Sequence, residues 1–391
     1  VSIRILAGDA RDTLATLPER TVQLCMTSPP YWRQRKYLDD DHADKHLEIG
    51  WEPTPAKYCD RLMGVFDAVQ RVLRDDGVCV VNIGEKMPGA GSQAGIPWQF
   101  ASAMVERGWI WRDTMIWEKP APMPAGLNGW RWEKCRVVVG RKPVDWRNVP
   151  KGWDCGEGAH DQVPKGNYRK EGTRKATVPV YAPCPGCPKC EPHGGLALRR
   201  GSLRSTTAHE YLMIFTKVGH CYYGDREGWA TPCKASTLNR NRYTRVLDDP
   251  DEQFAVKHDH EYSGSTANMR SVLRVASQNS KAAHYAVYPE ALVIPFIKAL
   301  TSAEGACPTC GACWARVVQL ERTLGWKPTC SCPPAPAVPC VVLDPFAGTG
   351  TTAIASKMLG RDAIACELNE KYVEIMRRRM DETAPLLMEA T

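Results

Sequence analysis

The chain has 391 residues, 43% of them hydrophobic and 24% charged, which suits two to three domains of about 150 residues and excludes a disordered or fibrous protein. No apolar run reaches the roughly 18 residues needed to cross a bilayer, and Val1-Ser2-Ile3-Arg4 opens without the apolar stretch of a signal peptide, so a soluble, cytoplasmic protein is expected. The net charge of +7 is concentrated in residues 121–280, where 25 Lys and Arg face 16 Asp and Glu, a pattern that suits a polyanion partner.

In chain order, Ile3 to Ala7 is expected as a strand, Arg11 to Leu17 as a helix, and Val22 to Met26 as an apolar strand ending at Thr27-Ser28-Pro29-Pro30. Pro55 to Arg74 places Tyr58, Leu62, Val65, Phe66, Val69 and Val72 on one face of a long helix, with Asp75-Asp76-Gly77 as its stop. A strand at Val78 to Ile83, a helix at Trp98 to Arg107 and a strand at Trp109 to Trp117 follow. Strands alternating with helices predict a parallel α/β sheet. From about Pro120 to Ser280 the periodicity gives way to Pro, Gly, Trp and basic residues, with one clear strand at Glu210 to Lys217. Order returns with a helix at Pro289 to Leu300, a strand at Val341 to Leu343, a helix at Thr351 to Leu359, a strand at Ala363 to Cys366 and a helix at Glu370 to Met380.

Two motifs carry chemistry. Asp344-Pro345-Phe346-Ala347-Gly348-Thr349-Gly350-Thr351 is a strand running into a glycine turn that opens a helix, a geometry that lets backbone approach a nucleotide-like cofactor. Glu367, ending the next strand, stands where ribose hydroxyls would be gripped. In Ser28-Pro29-Pro30-Tyr31 the prolines fix an extended backbone whose carbonyls can accept hydrogen bonds from an exocyclic amine, beside a flat aromatic face.

Together these motifs resemble the DNA amino-methyltransferases, which move a methyl group from S-adenosylmethionine to N4 of cytosine or N6 of adenine. The order, with Ser28-Pro29-Pro30-Tyr31 first, a basic region next and the glycine loop last, is similar to the permuted beta group of that family. Stretches at Gly8-Asp9, Val72–Gly84, Trp117-Glu118-Lys119-Pro120, His209–Lys217 and His284-Tyr285-Ala286 also resemble its pattern, over roughly residues 1–124 and 205–380. The resemblance implies a Rossmann-like sheet built from both chain ends. It also implies a cofactor site at Asp9, Thr27, His284, Asp344, Phe346, Gly348, Gly350, Thr351 and Glu367, and a catalytic loop at Ser28, Pro29, Pro30 and Tyr31. Ser28 and the Pro29 carbonyl would accept from the target amine while Tyr31 stacks on a base flipped out of double-stranded DNA.

A C5-cytosine enzyme would need an attacking thiolate, and Pro339-Cys340 merely precedes the cofactor strand. Ser at position 28 is commoner among N4-cytosine enzymes, so that target is favoured over N6-adenine. An RNA methyltransferase and a non-catalytic, zinc-stabilised DNA-binding protein are the further alternatives. Homodimers occur in the group, and the resemblance suggests a bacterial or phage-infected cell with a restriction-modification context.

The 17 cysteines are odd in number and clustered in metal-ligand spacings. Cys307-x2-Cys310 with Cys330-x-Cys332 reads as a four-thiolate zinc site, with Cys313 as an alternative ligand. Cys184, Cys187 and Cys190 need a fourth partner, for which Cys155 and His193 are candidates, so one or two structural zinc ions are expected. Arg131, Lys134, Arg136, Arg141, Lys142, Arg147, Lys165, Arg169, Lys170, Arg174, Lys175, Arg199, Arg200 and Arg204 interleave with Trp130, Trp132, Trp146, Trp153 and Tyr168, with Arg240, Arg242 and Arg245 further on. These suit phosphate and base contacts. The expected organisation is a catalytic half at 1–124, a target-recognition region with a Cys cluster at 125–280, and a cofactor-binding half at 281–391 with a Cys-rich zinc insert at about 305–338.

Overall fold

A computed structural model describes residues 1–86, 93–122, 131–143, 177–199, 205–219, 222–232, 266–277, 288–319 and 322–383. The chain divides into two compact units, 1–122 with 208–391, and 123–207.

The first unit is built on an eight-stranded sheet. Its strands are β1 (Ile3–Ala7), β2 (Val22–Thr27), β3 (Leu73–Ile83), β4 (Ile110–Glu118), β5 (His209–Thr216), β6 (Val272–Arg274), β7 (Val341–Asp344) and β8 (Asp362–Glu367), in the order β1-β8-β7-β2-β3-β5-β4-β6. The run from β1 to β3 is parallel and β5 is antiparallel to both neighbours, so the expected parallel sheet is a mixed one. Residues 208–280 thus supply two strands to this sheet: β5, which matches the strand expected at Glu210 to Lys217, and β6, whose three residues are too short to carry a periodic signal.

Both faces are covered, which explains why the central strands read as continuous apolar runs. On β3, Cys79, Val81 and Ile83 point to one core and Val78 and Val80 to the other; on β5, Met213 and Phe215 oppose Leu212 and Ile214. Helices α1 (Ala10–Ala15), α2 (Pro55–Val72) and α3 (Ile96–Glu106) cover the first face, and α4 (Glu290–Leu300) with α5 (Thr351–Met358) the second. A last helix, α6 (Glu370–Glu382), buries Met376 and Met380 against Ala363 and Ala365.

In α2, Thr54 caps the N-terminus by accepting from Lys57 N at 3.3 Å, Pro55 occupies the first turn, and all six predicted apolar residues are buried. The helix does not end at Asp75-Asp76-Gly77. It passes directly into β3 at Leu73, because Leu73 is fully buried opposite Val22. The charges that suggested a turn are paired there, Asp75 with Lys217 and Asp76 with Arg74.

The second unit contains two antiparallel pairs, Arg131–Lys134 with Leu196–Arg199 and Arg136–Pro143 with Thr177–Pro183. No described helix is long and apolar enough to cross a membrane.

Candidate active site

The chain leaves β7 through α5 towards β8 and leaves β2 through α2 towards β3, so the connections diverge between β7 and β2. A crevice at the carboxyl ends of such strands is where open α/β sheets bind ligands. Thr27, ending β2, donates its hydroxyl to Asp344 Oδ1, ending β7, at 2.6 Å. The Phe346 N–H also reaches Oδ1, at 3.1 Å, while Thr352 and Tyr288 donate to Oδ2 at 2.7 and 3.0 Å. Burial raises the Asp344 pKa against these four donors. Its carboxylate therefore ties the strand ends together and is not among the groups lining the pocket.

Glycines shape the loop after β7. Gly350 has φ +86° and caps α5, and an added Cβ would stand 2.4 Å from Met376 Cγ. Gly348 has φ +54° and open space where a Cβ would go, and its N–H donates to Glu367 Oε2 at 2.8 Å. Asn369 N caps Oε1 at 2.8 Å. Burial pushes Glu367 up to about 7, against the pull of these two N–H groups.

A pocket of about 660 Å³, part of it open to solvent, is lined by Asp9, Ser28, Pro30, Tyr37, Ile49, Val65, Phe346, Gly348, Glu367 and Tyr372 among others. Of the predicted cofactor residues, Asp9, Phe346, Gly348 and Glu367 face it, while Thr27, Asp344, Gly350 and Thr351 stand behind it. His284 lies outside the described residues. Asp9 caps α1 and is held in a fork by Arg11, whose Nε and Nη2 donate at 2.9 and 2.6 Å. Burial raises the Asp9 carboxyl, and the Arg11 hydrogen bonds outweigh it to leave the group below its usual range.

The Ser28–Tyr31 loop leaves β2 at the rim of this pocket. Tyr58 of α2 donates to the Pro30 carbonyl at 2.7 Å, holding the double-proline segment from below. The Tyr31 ring rests on Gly84, where a Cβ would be 2.7 Å from Cε2. Its hydroxyl donates to Glu210 Oε2 at 2.6 Å. Asn82, at the end of β3, donates from Nδ2 to Glu210 Oε2 at 2.9 Å and to the Tyr31 oxygen at 3.0 Å, with Ser28 Oγ at 3.4 Å. Lys119 pairs with Glu210 Oε1.

The resemblance covers the stretches holding Asn82, Lys119 and Glu210 and likens the Lys119 stretch to the lining of the target-base pocket, but it assigns no task to these three side chains, since single polar residues at strand ends carry no pattern. Tyr288 was missed altogether. A tyrosine one residue before a helix signal reads as a boundary residue.

Among the described residues the cysteines form two four-thiol groups, each with its sulfurs within 4.8 Å of one another: Cys307, Cys310, Cys330 and Cys332, and Cys135, Cys184, Cys187 and Cys190. Four sulfurs at about 2.3 Å from one zinc would lie roughly 3.8 Å apart. Cys187 Sγ is 3.8 Å from Cys135 and 3.5 Å from Cys190, so the geometry fits. Backbone N–H groups of Cys310 and Thr309 draw Cys307 down to about 6, and the Lys189 N–H, with Cys190, draws Cys187 to about 7, while Cys330, Cys332, Cys135 and Cys190 are raised beside them, so each group gives up one proton readily and would release the others only on binding a cation.

The fourth thiol of the second group is Cys135, a residue the sequence reading did not consider. Cys155 lies outside the described residues, and His193 packs at a tilt of 50° against Trp132 with ring centroids 4.4 Å apart. Cys135 is positioned by its neighbours: its N–H donates to the Gly195 carbonyl and its carbonyl accepts from Cys184 N, each at 2.9 Å. Cys313 stands apart from the first group, 3.6 Å from Cys340.

Of the basic and aromatic residues expected on DNA, Trp132, Lys134 and Arg136 are exposed. Trp130, Trp146, Arg147, Trp153, Lys165, Tyr168, Arg169, Lys170, Arg174, Lys175, Arg200, Arg204, Arg240, Arg242 and Arg245 lie outside the described residues, as do the side chains of Arg131, Arg141, Lys142 and Arg199.

A strand-end crevice with a buried carboxylate, Glu367, beside a Ser-Pro-Pro-Tyr loop is the arrangement expected of a methyltransferase. A model of the N6/N4-type family described as DNA methylase matches residues 22–378, and the chain belongs to that family. It is 39% identical over 127 residues to the Type II methyltransferase M.MwoI of Methanothermobacter wolfeii, spanning 32% of this chain and 18% of the relative's length. It is 24% identical to the Type II methyltransferase M.Cfr9I of Citrobacter freundii, over 96% of this chain and 87% of that protein. Among solved structures, the PvuII DNA methyltransferase (cytosine-N4-specific) aligns over 96% of this chain and 92% of its own, with TM-score 0.47 and 16% identity.

Proposed function

We propose that the protein transfers a methyl group from S-adenosylmethionine to N4 of cytosine in duplex DNA. The observation that carries this is that one pocket is lined by both Glu367 and Ser28, so the proposed cofactor carboxylate and the proposed amine-accepting loop share one space.

The donor, when bound, supplies an electrophilic methyl group on a positively charged sulfur. Glu367 lines the pocket and its carboxylate keeps acceptor capacity for a ribose hydroxyl after its backbone N–H partners are served. Phe346, Ile49 and Val65 give apolar walls to the same space. An exocyclic amine is a weak nucleophile because its lone pair is delocalised into the ring. Ser28 Oγ and the Pro29 carbonyl would draw its hydrogens towards tetrahedral geometry and so restore nucleophilicity, while Tyr31 stacks on the base. No covalent enzyme intermediate is required.

Serine at position 28 and the cytosine-N4-specific relative favour cytosine, with adenine N6 as the second reading. The relatives' Type II names suggest a modification enzyme of a restriction-modification pair. The 123–207 unit, with its exposed Trp132, Lys134 and Arg136, is the proposed target-recognition region, and the two cysteine groups would each hold one structural zinc.

The test is incubation with labelled S-adenosylmethionine and unmethylated DNA, followed by nucleoside analysis by mass. Label in N4-methyldeoxycytidine supports the reading. Label in N6-methyldeoxyadenosine transfers it to adenine. Cofactor binding with label only on matched RNA would make it an RNA enzyme, and binding of DNA with no label anywhere a non-catalytic binder. Tyr31→Ala should lose activity and keep cofactor affinity.

A further inference from the structure

We propose that Glu210 is a positioning residue that takes up the proton lost by the target amine, through a hydroxyl chain running from Ser28 to Tyr31 to Glu210. The inference rests on the methyltransferase reading and deepens it.

The reaction leaves a proton to be placed. As the exocyclic nitrogen bonds to the methyl carbon, the carbon–sulfur bond breaks with its electron pair going to sulfur, and the positive charge passes to a nitrogen that carries the methyl group and two hydrogens. One hydrogen must leave as a proton. Ser28 is placed to accept it, but a serine hydroxyl is far too weak a base to keep it.

The structure offers an onward path. Ser28 Oγ and the Tyr31 oxygen meet at the same Asn82 Nδ2, 3.4 and 3.0 Å from it, and the Tyr31 hydroxyl donates to Glu210 Oε2 at 2.6 Å. Ser28 can receive the amine proton while passing its own to Tyr31, which passes its own to Glu210. Both hydroxyls are regenerated, the methylated amine is neutral, and the carboxylate has become a carboxylic acid. No other reactant is needed.

The surroundings hold this row in place. Asn82 is buried, and its Nδ2 addresses Glu210, Tyr31 and Ser28 together, fixing the three oxygens relative to one another. Lys119, from the end of β4, anchors Glu210 through the other oxygen. Burial keeps the Tyr31 phenol protonated, so it can donate as well as accept. The charged and titratable groups facing Glu210 are Lys119 from β4 and Tyr31 from the loop, with Tyr58 of α2 behind Tyr31.

The test is single-turnover methylation by the full chain across pH 5.5 to 9, comparing wild type, Glu210→Gln, Glu210→Asp, Tyr31→Phe and the Gln/Phe double variant. Glu210→Gln should slow transfer by about 100-fold, the scale of a lost acid–base contribution, while leaving cofactor affinity unchanged. Glu210→Asp should restore part of the rate, which loss of a merely structural contact would not allow. Tyr31→Phe keeps the stacking ring and loses only the hydroxyl, so it should slow transfer comparably, and the double variant should be no slower than either single one. Glu210→Gln within threefold of wild type, or Glu210→Asp no faster than Glu210→Gln, overturns the relay. If Glu210→Gln fails to fold, the rate of Tyr31→Phe against wild type decides by the same threefold limit. Absence of labelled product from the wild type itself overturns the methyltransferase reading, and the relay with it.

Discussion

The Gly348 N–H donates to Glu367 Oε2 at 2.8 Å, so the glycine loop after β7 and the carboxylate ending β8 form one rim of the pocket. Glu367 has its pKa pushed to about 7, from an ordinary 4.5, because it is buried with only N–H partners. Ribose hydroxyls would be better served by the ionised form. Cofactor affinity should therefore rise with pH through this window, by about tenfold between pH 6 and pH 8, with proton release on binding. Calorimetric titration in buffers of different ionisation enthalpy checks this. Glu367→Gln should bind more weakly and show no such dependence.

The same shift has the opposite sign for the empty protein. With the folded pKa above the unfolded one, the native state holds the extra proton between about 4.5 and 7, and stability contributed by Glu367 falls as pH rises through that range. Glu367→Gln should flatten this part of a stability-against-pH curve measured by denaturant melts.

Gly348 and Gly350 should fail differently. A valine at 348 adds a β-branched side chain in the open space beside Glu367, so Gly348→Val should abolish cofactor binding, and its stability loss should come from backbone strain at φ +54° with no clash. Gly350→Ala meets Met376 at the helix cap and must adopt φ +86°, which should cost roughly 1–3 kcal/mol of stability before binding is considered. Isothermal titration and thermal melts on both variants separate the effects.

Asp344→Asn should destabilise the fold by about 1–3 kcal/mol, because an amide nitrogen would face a donor from Thr27, Thr352, Tyr288 or the Phe346 backbone in place of an acceptor. Cofactor affinity should fall only as far as the crevice loosens. A matched pair of denaturation and binding curves gives the split.

For the metal sites, elemental analysis should find about two zinc ions per chain. Cys135→Ser should lose one of them and Cys155→Ser neither, since Cys135 completes the second thiol group. Loss of zinc from Cys155→Ser with retention in Cys135→Ser would reverse the assignment.

The sequence alone determined the periodic elements and the two ordered motifs. The six-residue apolar stripe of α2 and the buried runs of β2 and β7 declare themselves because helix and strand periods are local properties. The glycine turn is legible for the same reason, since φ +86° at Gly350 is a demand on one residue. Continuity between α2 and β3 was misread because Asp75-Asp76-Gly77 looks like a turn until Lys217 and Arg74 arrive to pair its charges.

Only the tertiary structure decided which distant groups meet. Tyr31 and Glu210 are 179 residues apart, and Thr27 and Asp344 are 317 apart. Cys135 joins its thiol group through strand pairing across 177–199, and no spacing rule reaches that far. These pairings follow from sheet order and register, which are set by the burial of two whole faces at once, so a single polar residue at a strand end acquires its partner only when the sheet has closed around it.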